Sequence, residues 1–335
     1  AQCHFMRGNL CFPLGRLDEC QAEHTAALDA ARSCGRVDLE VQALGGLGDA
    51  AYIRGRIRTA NANFTLCVEL AHANGFGRIE VANWPMVAWS ALLLGDYAGA
   101  RTNAEQARHA AERVGDDRAA IIAWNALAML ALDDGDADAA VAASRQIVDL
   151  SERLNASRLA SFGLNTLGMA LLLRGDRDGA RSAVSDAMEA ARAAVLFVGP
   201  WIHSTKAAVQ DDRETAFEDL AAGEALLQPG VPAHNHFFYR RTAVDVCLRW
   251  QNWDEAVRHA DALETYVGAE STGWTRQVVA AARGLAAHGR GETGGEVERT
   301  LETARRLAGE IGLTRSAALL DAAIAGRGVR GGVAG

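Results

Sequence analysis

Two asparagines forty residues apart, Asn125 and Asn165, carry the one chemistry that the spacing of this sequence repeats. A carboxamide offers a donor and an acceptor together, so it can pair with a peptide unit whatever side chains that peptide bears. Standing on neighbouring stacked helices about 10 Å apart, the two would match roughly three residues of an extended chain. Arg241 adds a planar guanidinium suited to a carboxylate or phosphate, and Asp245 lies one helical turn further on, where it could simply pair with it. Aromatic residues with polar neighbours recur at Trp84, Trp89, Trp124, Phe162 and Trp201, then at Phe237, Phe238 and Tyr239. Aromatics in a concave surface are frequent binding anchors, although most tryptophans of stacked helices pack between them. The ligand-groove set expected from these residues is Asp49, Trp89, Asn125, Asn165, Trp201, Phe238, Arg241 and Asp245.

Other chemistries find less support. His234 and His236, with His203 as a neighbour, form the only dense histidine group, and a metal site needs a third ligand at fixed geometry. H-x-H alone is a weak signal, and no metal or other cofactor is expected. There is no G-x-S-x-G elbow, no H-E-x-x-H and no G-x-x-x-x-G-K-[ST] phosphate loop. The carboxylates Asp133, Asp134, Asp136 and Asp138 fall together in a turn and read as helix caps. The chain is therefore read as a non-catalytic binding module.

The elements that position these groups come from a repeat. Residues 43–75, ALGGLGDAAYIRGRIRTANANFTLCVELAHANG, read as one helical hairpin: apolar residues at helical spacing, a break at Gly55, a second amphipathic run, and a stop at Gly75. Gly15, Gly55, Gly95, Gly135 and Gly175 follow one another at forty-residue steps. Small residues keep the same step after each break (Cys20, Ala60, Ala100, Ala140, Ala180) and before it (Gly8, Gly48, Ala88, Ala128, Gly168). These are the small positions of tetratricopeptide repeats, with a period longer than the usual 34 or so residues. DDRETA at 211–216 matches GDRDGA at 175–180 after only thirty-six residues, which predicts a lost helical turn near VGPW (198–201). Steps of forty then resume.

The expectation is an all-α, right-handed α-solenoid of about eight tetratricopeptide-like hairpins over 1–325, with A helices lining a concave face. It includes an irregular segment near 195–241 containing a 234–241 loop, a capping helix at 314–325 and a flexible tail at 326–335. The apolar Phe5, Met6, Leu10 and Phe12 at the start have nothing before them to pack on, and the chain opens without methionine, so it is read as part of a larger protein.

A net charge of −8 argues against a nucleic-acid or anionic-membrane partner. Six cysteines without a C-x-x-C pair fit a reduced, cytoplasmic setting, and the longest apolar stretch, Ile121–Leu132, is interrupted by Asn125. Lys206 is the only lysine.

RGNLCFPLG (7–15), LGGLGDAAYIRGRIRTA (44–60), GFGRIEVAN (75–83), VGPW (198–201) and HNHFFYRR (234–241) go beyond generic repeat chemistry. Together they resemble the C-terminal tetratricopeptide region of large bacterial proteins with a class III adenylate/guanylate cyclase domain, a P-loop ATPase domain, or both, upstream. The resemblance covers roughly 1–320. It implies a regulatory or sensor arm of a multidomain signalling protein that holds a peptide, a partner protein or its own upstream domains. The alternative from another class is a small-molecule sensor pocket around Trp201, the 234–241 segment and Arg241.

Overall fold

Residues 1–12 and 14–326 are described in the computed structural model; of the tail expected at 326–335, residues 327–335 lie outside them. Among the described residues the chain forms seventeen α-helices and two short 3-10 turns, and no strand. They pair in chain order: α1 (Gln2–Cys11) with α2 (Leu17–Ser33), α3 (Val37–Ile53) with α4 (Ile57–Ala73), α5 (Gly77–Leu94) with α6 (Tyr97–Val114), and α7 (Asp117–Asp134) with α8 (Ala137–Arg153). Next come α9 (Ser157–Leu173) with α10 (Arg177–Ala191), α11 (Val195–Val209) with α12 (Arg213–Ala225), α13 (Ala233–Arg249) with α14 (Trp253–Val267), and α15 (Gly273–Gly289) with α16 (Gly295–Ile311). α17 (Thr314–Ile324) packs on α16. The fold is an all-α solenoid of helical hairpins.

The repeating step has a local cause. The five glycines at the breaks all have left-handed φ, from 66° to 89°, which ends helix A without the strain a side chain would meet there. Helix B then starts on an aspartate in the later repeats: Asp96, Asp136, Asp176 and Asp212 each accept a backbone N–H three residues on, at 2.8–3.0 Å. Asp136 is thus a cap as expected. Asp133 is not: it sits in the last turn of α7, where the helix dipole disfavours an acid.

Packing follows the small positions. Cys20, Ala60, Ala100, Ala140 and Ala180 are all completely buried, and so are Ala216 and Ala256, which continue the series. The A-helix partners vary in size to match helix B. Gly48 faces the ring of Phe64 so closely that a Cβ would stand 2.5 Å from it, and Gly168 faces Val184 at 2.6 Å. Where the B residue is small, as at Ala104 and Ser144, the A residue at the same register is alanine, Ala88 and Ala128. A B helix such as α4 touches both its own α3 and the next A helix, α5, so each hairpin completes its core on its neighbour.

The chain divides into two units, Ala1–Ala126 with Gln228–Ala233, and Leu127–Leu227 with His234–Gly335. In the first, Phe5 and Phe12 pack on buried clusters around Leu44 and Cys20, made by residues that mostly follow them in the chain, while Met6 and Leu10 remain exposed. In the second, the lost turn falls just before VGPW: α10 and α11 are each fifteen residues long and meet through a 3-10 turn at Arg192–Ala194. The irregular segment also shrinks. Residues 195–209 and 213–225 are helical, and 234–241 is not a loop but the first half of α13; only the stretch between Ala225 and Ala233 is irregular, because Pro229, Gly230 and Pro232 are confined to it.

His24 tests this packing. Its buried ring is wedged between Gly8 and Gly46, so Gly46→Ala should cost about 1–3 kcal/mol, whereas Gly77→Ala, with nothing within 4 Å of the added carbon, should cost nothing or stabilise slightly. Denaturant melts of the two variants measure the difference.

Candidate functional site

Pro200 shapes the second unit. It lies inside α11, where its ring displaces the carbonyl of Leu196 and it lacks the N–H that would have bonded there. The next repeat repairs the damage. Asn235 Nδ2 reaches the freed Leu196 carbonyl at 3.5 Å and donates to the Phe197 carbonyl at 2.9 Å; His234 Nε2 lies 2.6 Å from the same Phe197 oxygen, and Asn235 Oδ1 accepts from Trp201 N–H at 3.3 Å. VGPW and the opening of HNHFFYRR are therefore two halves of one lock between α11 and α13.

That lock decides the histidines. Helical residues two apart point in different directions, and here His234 packs edge-on to Phe162 and Phe197 while His236 stacks flat on Tyr266, centroids 3.9 Å apart. Burial holds both pKa values down to about 4. The two rings do not converge on a common point, and no cluster of three metal-ligating side chains exists among the described residues.

The aromatic candidates of this unit form a continuous column. Trp201 stacks on Phe238 at 4.6 Å and meets Phe162 edge-on at 5.1 Å; Phe238 in turn meets Trp274 at 5.8 Å. Trp201, Phe238 and Trp274 are all at most 1 % exposed, so Trp201 and Phe238 are inter-repeat core rather than open anchors. Burial leaves polar atoms stranded. Trp201 Nε1, Trp274 Nε1 and both carboxamide atoms of Asn165 have no hydrogen-bond partner. Asn165 is 0 % exposed rather than open to the expected ligand groove, and an unpaired buried polar group costs about 1–3 kcal/mol.

Charged groups gather beside the column. Arg241 on α13 forms an ion pair with Asp133 on α7, 108 residues away, and its guanidinium also lies 5.7 Å from the centre of the Trp274 ring. The expected pairing of Arg241 with its own neighbour Asp245 gives way to this longer one, because Asp133 is 2 % exposed and needs a cation. Asp245 is exposed, yet desolvation by surrounding protein raises its pKa, opposed by Arg241 and Arg315 and assisted by Asp133.

The first unit holds a parallel case. Desolvation raises the Asp49 carboxyl to about 7, with Arg118 as the opposing charge. Trp89 is packed and donates its indole N–H to Tyr52 at 2.8 Å, while Trp124 lies under the Arg108 guanidinium at 4.8 Å. Asn125, in this unit, is buried with a partner; Asn165 belongs to the other unit.

The thirty-six-residue step makes one pattern legible after the fact. Carried through it, Asn125, Asn165, Trp201 and Arg241 occupy one repeat position, and Asp49, Trp89 and Asp245 another, four residues further along helix A. Asp133 was missed, though an acid in the last turn of a predicted helix was a visible sign of unusual duty.

Two outcomes are expected. Asp133→Asn should destabilise by about 2–4 kcal/mol, and combined with Arg241→Met should cost less than the two changes summed, as a double-mutant cycle in urea would read. A carboxyl whose folded pKa is raised contributes stability that is full below about pH 4 and is lost as pH rises through about 7. Asp49→Asn should therefore raise the melting temperature by a few degrees at pH 8, with the gain vanishing toward pH 4, in thermal melts across that range.

No protein-family model matches the sequence, and a search of curated proteins finds no relative. Among solved structures the chain is similar to a Rap protein complexed with competence and sporulation factor: TM-score 0.63 at 11 % identity, over 97 % of this chain and 96 % of that one. A circular tandem repeat protein with novel repeat topology covers 97 % of this chain and 94 % of its own at 16 % identity, but superimposes only to a TM-score of 0.23. The first likeness establishes the fold: this chain is a helical-repeat solenoid of the kind that the Rap protein displays.

Proposed function

We propose that the chain is a non-catalytic binding module that holds a peptide or a segment of a partner protein against the inner faces of its A helices. The observation that carries this reading is Asn165: a carboxamide enclosed by protein, unpaired at both atoms, at the repeat position that also bears Asn125, Trp201 and Arg241. Such a group is costly to keep unless something pairs with it in another state of the protein. The Rap protein, alike in fold, is seen complexed with a factor, which fits a scaffold that takes a partner. The resemblance to bacterial cyclase and ATPase proteins extends the proposal: the module acts as a cytoplasmic regulatory arm, and its partner includes catalytic domains upstream in the same protein.

A second reading is favoured by one observation. Asp245 on α13 feels the charges of Arg241 on its own helix, Arg315 on α17 and Asp133 on α7, and Arg241 pairs with Asp133, so charged groups of three helices gather as a small-molecule site would require. Trp201 and Arg241 then belong to its walls.

The test is thermal unfolding of the chain against peptide pools and against separately produced cyclase and ATPase domains. A binder specific to the folded state adds about 2.7 kcal/mol at a hundredfold excess over its Kd. Asn165→Leu should raise the stability of the unliganded chain by about 1 kcal/mol, since it removes two unpaired polar groups, and should weaken the response to peptide. An unchanged response in that variant would remove Asn165 from the site.

A further inference from the structure

The first hairpin presents one face of its A helix to solvent. Met6 and Leu10 on α1 are 54 % and 66 % exposed, and Cys3, one turn before Met6, is exposed as well. Residues three and four apart share a helix face, so these three side chains form one stripe. In later hairpins the same register is covered by the B helix of the hairpin before. Gly46, forty residues after Met6, lies against the His24 ring of α2. Ser90, eighty residues after Leu10, receives Asn61 Nδ2 of α4 at 3.0 Å, and Gly163, at the register of Cys3, faces Ile147 of α8. The stripe on α1 is therefore the solenoid's own stacking surface, continued to a place where α1 meets only α2 and α3 among the elements described.

We propose that this stripe docks an amphipathic helix of a partner protein, one with small residues where it crosses Met6 and Leu10 and an acid beside Arg7. The internal interfaces state what kind of element covers such a face, and sterics refine it. The matching stripe of α3 is Ala43, Gly46 and Ala50, all buried, which lets α2 bring the large His24 ring onto it. On α1 the stripe is cysteine, methionine and leucine, so a helix crossing at the same spacing must itself carry little side chain. Charge gives the second requirement: the Arg7 side chain is 66 % exposed at the edge of the stripe, and α1 contains no acid. The same features argue against a second copy of this chain. Two α1 helices face to face would set Met6 and Leu10 on equally large residues and Arg7 against Arg7. Asn125 and Asn165 stand at another register of helix A, so this surface is independent of the groove that they mark.

The probe is a labelled peptide with the eighteen-residue sequence of α6, bridged on its outer face to keep it helical. Its inward stripe, Ala100, Ala104, Ala107 and Ala111, is all alanine, and Glu105 and Glu112 lie on its exposed side. Fluorescence anisotropy against the full chain should give a Kd of about 100 µM or tighter. The peptide with Ala104→Leu and Ala107→Leu should bind at least tenfold more weakly, and the one with Glu105→Gln and Glu112→Gln about threefold more weakly. A chain with Met6→Glu and Leu10→Glu, both at exposed positions, should melt like the parent and lose at least tenfold in affinity for the α6 peptide. The proposal is overturned if the α6 peptide does not bind, if the leucine or the glutamine peptide binds as well, or if the two glutamates in the chain leave its affinity unchanged. Light scattering that finds the parent dimeric and the glutamate variant monomeric would also overturn it, because the occupant is then a second copy.

Discussion

The structure depends on how closely helix A can approach helix B within a hairpin. Gly48 under Phe64 and Gly168 under Val184 put a bulky side chain of helix B where only a bare backbone can receive it. Glycine inside a helix costs about 0.5–1 kcal/mol, so its presence there is a packing decision. Ala88 with Ala104 and Ala128 with Ser144 solve the same problem with two middling residues. The larger residue of helix B meets the smaller residue of helix A, so no pair forces the two helices of a hairpin apart. Regular spacing in turn lets residues four or forty positions apart fall on one face.

Much of this was legible because it is local and repeated. The glycine breaks, the buried small residues and the aspartate caps depend on contacts within a hairpin, and every repeat states them again. Single events were not legible. The lost turn near VGPW was legible, but not that Pro200 is a helical proline repaired by His234 and Asn235 from the next repeat. The same two residues, with Pro229, Gly230 and Pro232 before them, read as a loop; the polar side chains that suggested one are turned inward to serve another helix. Asp133 and Arg241 lie 108 residues apart on different helices, and no periodicity relates them.

The candidate site residues divide by burial. Trp89, Trp201 and Phe238 serve as core, and their aromatic character is spent on neighbouring rings and on Tyr52. Asp49 and Asp245, equivalent in the repeat, keep some contact with water while surrounding protein raises their pKa values. Asn165 is enclosed and unpaired. The acids and the amide are the groups with chemistry still to offer, and each burdens the unliganded fold, as functional groups commonly do.

The lock between α11 and α13 has a consequence for cooperativity. Ordinary solenoid repeats behave as a chain of nearly independent units coupled by their interfaces, each able to fray without its neighbour. Here the backbone of one hairpin is completed by hydrogen bonds from the side chains of the next. α11 cannot satisfy its own carbonyls until α13 has docked, so these two hairpins form a single foldon, and amide protection should rise and fall across both together while the flanking hairpins exchange on their own terms.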